Sequence, residues 1–309
     1  MDIYIVGYLK SPFIKQDFEL LNESHRVISF DLSTHATSFK QIFRYLISTV
    51  LEWNNIRRSA IVWIWFADYP ALPFIVLAKI FRKPIVVNVG GWEVYAAPDI
   101  GYGNQLNPIR GWVTRWILRN ATRCITMSNA YKSIITSIEP KANIVVIPGW
   151  VDTKLCNTPL PKKHGVVTAL CTYKFTHILK GMPIFEAATV GIDAQVIENI
   201  PRERLLAMFK SAKVYCQPSY TESFGMSLLE AMACGCVPVV SQRDALPEVV
   251  GTVGFVVPYG DVERTRRAII RALQLDGSVV NMVRARARTF TRERKENAVI
   301  TLLEEVCNH

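Results

Sequence analysis

Short, mostly apolar runs separated by longer helical stretches recur along this chain. Ile3–Val6, Val27–Phe30, Ile61–Trp65, Ile85–Val89, Cys124–Met127 and Asn143–Ile147 read as buried strands. Phe39–Trp53 and Pro70–Phe81 between them read as helices. Ile147-Pro148-Gly149-Trp150 interrupts the alternation. After a loop through Pro159-Leu160-Pro161-Lys162-Lys163 it resumes with Val166–Cys171, Ala194–Ile197, Val214–Cys216, Val237–Val240 and Phe255–Val257. Strands alternating with helices predict parallel sheets covered on both faces. The expected class is therefore α/β, in two doubly wound, Rossmann-like domains, residues 1–155 and 156–291, with a charged helical stretch over 292–309.

Composition narrows the class. The 309 residues are 50% hydrophobic and 20% charged, normal for a globular enzyme and far from a disordered chain. Met1–Gly7 begins directly as a strand, so no secretory leader is expected. The most apolar window, Ala60 to Phe81, carries Asp68, Pro70, Pro73 and Lys79 and reads as strand plus helix, not as a membrane span. Seven scattered cysteines, with Cys234 and Cys236 the closest pair, suit a reducing, cytoplasmic compartment. The five histidines form no metal-binding set and no D-x-D is present, so neither a metal nor another cofactor is implied. Gly101-Tyr102-Gly103 lacks the third glycine and the preceding strand of a dinucleotide fingerprint.

The net charge of +10 is unevenly spread. No acid lies between Asp99 and Glu139, where Arg110, Arg115, Arg119, Arg123 and Lys132 alternate with Trp112 and Trp116. One reading is a helix on an anionic membrane surface, which would make the protein peripheral on the inner face of a membrane. The other is an ordinary helix with tryptophan in the core. A second basic run, Arg264 to Lys295, has no recognition module beside it, and no nucleic-acid partner is expected.

The chemistry concentrates between Cys216 and Ser241, C-Q-P-S-Y-T-E-S-F-G-M-S-L-L-E-A-M-A-C-G-C-V-P-V-V-S. A strand runs into a polar turn with Glu222, then Phe224-Gly225, then a helix with Glu230 in its second turn; Gly235 stops the helix and a strand follows. A helix start offers free amides to phosphate, and the flanking carboxylates offer acceptors to hydroxyls. Spacing alone is weak evidence, since Glu296 and Glu304 share it on what reads as a solvated face.

In its context this stretch resembles the retaining glycosyltransferases of family 4, whose E-x7-E motif places one Glu before Phe-Gly and the second in an E-A-M-A-x-G helix. The resemblance implies the GT-B fold, two Rossmann-like domains facing a central cleft, with the last helix packing back on the first domain. It implies transfer of a hexose from a UDP- or GDP-linked donor to an acceptor hydroxyl, on a glycan or lipid-linked acceptor, without a metal. Glu222 would bind the transferred sugar and Glu230 the ribose. The amides of Phe224, Gly225, Met226 and Ser227 would meet the diphosphate. Lys180, in the family's K-G pair, would do the same, with Lys174 standing where the family has an arginine. Pro247-Glu248-Val249-Val250 resembles the stretch closing the donor domain, where Glu248 reads as structural. On the acceptor side the chain departs from the family. Gly7-Tyr8 replaces a Gly-Gly loop, and Gly90-Gly91-Trp92-Glu93 stands where a histidine is usual, with Glu93 a candidate acceptor for sugar hydroxyls. Trp65-Phe66 through Pro70 ends a strand and reads equally as core or as a ligand-stacking surface. Two alternatives stay open: a non-catalytic GT-B binding or scaffold protein, and another nucleotide-sugar enzyme such as an epimerase.

Overall fold

The structure, a computed structural model, describes all residues except Lys10, 33–44, Leu46, 158–163, 171–175 and His309. The chain forms two compact units. The first comprises Met1–Ile147 with Glu296–His309, the second Pro148–Lys295.

Among the described residues, six strands make the sheet of the first unit: β1 (Asp2–Gly7), β2 (Arg26–Asp31), β3 (Ile61–Trp65), β4 (Ile85–Asn88), β5 (Arg123–Thr126) and β6 (Ile144–Val146). They lie in the order β2-β1-β3-β4-β5-β6, every neighbouring pair parallel, with Ile3 opposite both Val27 and Ile61. Successive residues point to opposite faces. Tyr4, Val6, Val62, Ile64 and Val87 join one core with Phe74, Ile75, Val113, Ile117 and Tyr131 from the helices. Ile3, Ile5, Ile61, Trp63 and Val86 join the other, with Ile14 and Leu21. Burial on both faces is why these strands are continuous apolar runs and not alternating ones. The Arg292–Cys307 helix adds Val299, Leu302, Leu303 and Val306 to the second core. Those positions, spaced three, one and three apart, form one helical stripe.

The second unit carries β7 (His164–Leu170), β8 (Ala194–Glu198), β9 (Ala212–Gln217), β10 (Val237–Ser241) and β11 (Phe255–Val257). The order is β11-β10-β9-β7-β8, again all parallel, with Val166 opposite Val214 and Val239 opposite Cys216. The chain visits β8 and then returns across β7 to β9. Ligands of such sheets sit beyond the carboxyl ends of the strands at this reversal. Here those ends are followed by Lys180, after β7, and by Glu222, after β9.

The expected strands are all present, with ends shifted by a residue or two; β4 stops at Asn88 and β6 spans Ile144–Val146. Residues 39–44 and 46 of the expected helix Phe39–Trp53 lie outside the described residues, residues 47–51 are helical, and Trp53–Arg58 forms a helix that runs past the predicted end.

Candidate functional site

In the second unit, the turn after β9 is fixed from three directions. The Ser241 hydroxyl at the end of β10 donates to the Ser219 carbonyl at 2.6 Å. The Tyr220 amide donates to the Leu179 carbonyl at 2.8 Å. The Lys180-Gly181 turn leans directly on Pro218: Gly181 has φ +68°, and a Cβ there would lie 1.9 Å from the Pro218 carbonyl oxygen. This interlock brings Lys180 Nζ to 2.5 Å from Glu222 Oε2. Gln217, buried at the end of β9, donates to the same oxygen at 2.8 Å. Glu222 and Lys180 side chains keep 16% and 20% exposure, so the pair is half enclosed yet open to a ligand.

Asp244 completes the support. Its Oδ2 accepts from the Thr221 hydroxyl at 2.5 Å and from the Glu222 amide at 3.2 Å. Asp244 holds a left-handed backbone, φ +43°, and burial pushes its carboxyl up from the ordinary carboxylate value. Neither Gln217 nor Asp244 stood out in the sequence. The signal available was positional: both are polar residues at or just past the carboxyl end of a strand.

Phe224 and Gly225 set the start of the Met226–Ala233 helix. The Phe224 ring is buried, edge-on to Phe290 with centroids 5.6 Å apart, so only its backbone is offered to a ligand. Gly225 is left-handed, φ +98°, and no side chain caps the helix. An uncapped start leaves amides and the positive end of the helix dipole for an anion. Glu230, one turn in, is 8% exposed. Arg202, just after β8, donates to its Oε1 from Nε at 3.1 Å and Nη2 at 2.7 Å. Each carboxylate of the motif therefore has its own cation, Lys180 for Glu222 and Arg202 for Glu230. Arg202 was not anticipated. Lys174 lies outside the described residues. Glu248 sits in the Leu246–Val250 helix, where its carbonyl accepts from Arg286.

The first-unit candidates cluster at the ends of β1, β3 and β4. A Cβ on Gly7 would stand 3.1 Å from Trp65 Cβ, and one on Gly90 would meet the Phe66 ring at 2.2 Å. Tyr8 packs against Phe66 with centroids 5.7 Å apart, and burial pushes its hydroxyl up to about 12. Glu93 corrects the sequence expectation. It is fully buried; Oε1 accepts from the Ala67 amide at 3.3 Å and the Gly90 amide at 2.8 Å, and Oε2 from Gly91 at 2.9 Å. The carboxylate clamps the turn after β3 to the turn after β4 and is not presented to a ligand. Trp65 is core. Tyr69 and Trp92 flank Arg110, whose Cζ lies 5.1 Å and 5.7 Å from their ring centroids.

The acid-free run also differs from a freely basic helix. Arg110 pairs with Asp68, Arg119 with Glu139 and Arg123 with Glu305, while Arg115 donates to Gln105. Trp116 packs against the core. Alongside Arg119, the Pro108–Asn120 helix exposes two large apolar side chains, Ile109 at 75% and Trp112 at 59%. Among the described residues, no helix is long and apolar enough to cross a membrane, and no group of three acidic, His or Cys side chains gathers to hold a metal.

Residues 184–290, which include Glu222 through Gly235, match the family Glycosyl transferases group 1. The O-antigen chain mannosyltransferase B of Escherichia coli is 40% identical over 77 residues, 25% of this chain and 20% of that protein. The phosphatidyl-myo-inositol mannosyltransferase of Mycobacterium leprae is 44% identical over 73 residues, 23% of this chain and 20% of its own. The D-inositol 3-phosphate glycosyltransferase of Kribbella flavida is 38% identical over 81 residues, 25% and 19% respectively. The chain thus spans about a fifth of the length of these relatives. Solved structures match far more of it. Sucrose-phosphate synthase from Thermosynechococcus elongatus superposes with a TM-score of 0.78 at 16% identity, covering 99% of both chains. The UDP-forming α,α-trehalose-phosphate synthase of Burkholderia vietnamiensis gives 0.72 at 11%, covering 98% of this chain and 99% of its own. At such identities the likeness establishes the fold, the α/β GT-B class that the sequence predicts.

Proposed function

We propose that the protein is a retaining glycosyltransferase, with a nucleotide diphosphate hexose bound along the second unit. The observation that carries this reading is the Lys180–Glu222 pair, 2.5 Å apart beside an uncapped helix start. A phosphate at that start meets backbone amides and the helix dipole. Lys180, already within reach of the turn, shares its charge between Glu222 and the diphosphate. Glu222, held by Gln217 and by Asp244 through its own amide, accepts from hydroxyls of the transferred sugar. Glu230, eight residues on, accepts from the ribose. Both contacts from Arg202 fall on Oε1.

In the reaction, the bond from the sugar's anomeric carbon to the phosphate oxygen breaks. A bond to the acceptor oxygen forms on the same face, and the acceptor proton passes to the departing phosphate. Charge on that leaving group grows in the transition state, so Lys180 and the amides of Phe224, Gly225, Met226 and Ser227 act differentially on it. No side-chain base and no metal enters this scheme; turnover unchanged by EDTA is its corollary. The acceptor is a glycan or lipid-linked hydroxyl, and Gly7, Tyr8, Gly90, Gly91 and Trp92 of the first unit are the candidates for binding it. The exposed Ile109 and Trp112 support a peripheral contact with a membrane carrying such an acceptor.

The test is a panel of UDP- and GDP-hexoses scored for release of the nucleotide and for transfer. Lys180→Ala is expected to lower turnover by roughly 10²–10³, as for one transition-state donor. Glu222→Ala is expected to lower turnover strongly, and Glu230→Ala mainly to raise the donor KM, because the ribose contact is equal in ground and transition states. Normal transfer by both Glu variants, with circular dichroism unchanged, would end the assignment.

A further inference from the structure

Four strands of the second sheet line up their carboxyl ends in the order β7, β9, β10, β11. Lys180 follows β7 and Glu222 follows β9. Beyond them, on the side away from β8 and Arg202, three residues converge that have no part in the scheme above. Tyr220 follows β9, Arg243 follows β10 and Tyr259 follows β11. Arg243 Cζ lies 5.2 Å from the Tyr220 ring centroid and 4.9 Å from that of Tyr259. The two rings meet edge to face, 5.2 Å apart at 82°. Rings hold a guanidinium by its faces and leave its N–H groups in the plane unspent. Among the described residues no hydrogen bond or ion pair engages the Arg243 guanidinium. It is half-buried, and its neighbour Asp244 is the residue that holds the Glu222 amide.

A planar cation fixed between two aromatic rings with its donors open is preorganised for a carboxylate or a phosphate. Its place decides which one it meets. With the nucleotide at Glu230 and the hexose at Glu222, the line of strand ends carries the far side of that hexose, or the acceptor joined to it, toward β10 and β11. We infer that Arg243, caged by Tyr220 and Tyr259, recognises an anionic group on the transferred sugar or on the acceptor: a uronic-acid carboxylate in the first case, a sugar phosphate in the second. This inference takes its direction from the nucleotide-sugar reading.

Calorimetry on the full chain separates the two sources and the two readings. The wild type, Arg243→Gln and Arg243→Lys are titrated with UDP and GDP, with UDP-glucuronate against UDP-glucose, and, with nucleotide saturating, with glucose 6-phosphate against glucose. Arg243→Lys keeps the charge and loses the planar fork, so it guards against a variant that fails to fold. The expected result is at least a tenfold preference for one anionic ligand over its neutral partner, lost in Arg243→Gln and weakened in Arg243→Lys, with plain nucleotide binding unchanged. Preference for UDP-glucuronate identifies the transferred sugar as the source; preference for glucose 6-phosphate identifies the acceptor. Nucleotide binding without an anion preference, or a preference that survives Arg243→Gln, overturns the inference, as does a variant that only melts earlier. If neither UDP nor GDP binds, the nucleotide-sugar reading falls. The anion site is then read with glucuronate and glucose 6-phosphate alone, and no Arg243-dependent response to either overturns it as well.

Discussion

Replacing Gly181 with alanine tests whether the site's two loops are locked by backbone contact. At φ +68° an alanine costs about 1–2 kcal/mol in any surroundings, because Cβ crowds its own carbonyl. At Gly181 that Cβ also lands 1.9 Å from the Pro218 carbonyl oxygen and 2.7 Å from its carbon. No rotamer change relieves a clash with backbone, so the turns must separate, adding about 1–3 kcal/mol by analogy with overpacked cores. Gly191 is the control: φ +73°, the same unit, and open space around it. Gly191→Ala is expected to cost only the conformational term. Each kcal/mol moves the melting point by about 2–4 °C in a unit of this size. Gly181→Ala should therefore melt several degrees below Gly191→Ala in a calorimetric scan. It should also bind nucleotide sugar more weakly, since the turn it displaces carries Lys180. Equal melting points for the two variants would mean that the Lys180 turn yields freely, and the argument for a rigid Lys180–Glu222 pair would fail.

Two further outcomes follow from the first unit. Burial pushes the Glu93 carboxyl up, so the folded state holds its proton more tightly than the unfolded one. Stability is then full below the ordinary carboxylate value and is lost as pH rises through the raised one, at up to about 1.4 kcal/mol per pH unit. Urea titrations from pH 4 upward should show wild type losing stability relative to Glu93→Gln as pH rises; parallel curves would contradict the burial argument. Vesicles containing anionic lipid should sediment the protein at low salt and release it at high salt, and the double variant Ile109→Ser/Trp112→Ser should stay in solution. A variant that sediments as well as wild type would place any membrane contact elsewhere.

The elements were legible because two-sided burial writes itself into composition. Ile61–Trp65 and Val237–Val240 are apolar at every position or broken only by proline, and helices between them force parallel pairing. The E-x7-E stretch was legible because its parts are local: strand, turn, Phe-Gly and helix follow one another within 26 residues, Cys216 to Ser241. Glu93 misled because a carboxylate beside two glycines reads alike whether it faces a ligand or clamps the amides behind it. The pairing of the arginines in the acid-free run was not legible because their partners Asp68, Glu139 and Glu305 are distant in sequence or outside the run.

Sequence alone determined the α/β class, the strands and the motif that puts one carboxylate before a helix and another within it. Tertiary structure alone decided what each charge meets: Lys180 against Glu222 across 42 residues, Arg202 against Glu230 across 28, and Arg243 between two tyrosines that follow the strands on either side of its own. The reason is the range of the forces. Burial and backbone preference act residue by residue and leave a periodic trace, whereas ion pairs and cation–π contacts are settled by which strand ends the sheet order sets side by side, and that order is not written in any one segment.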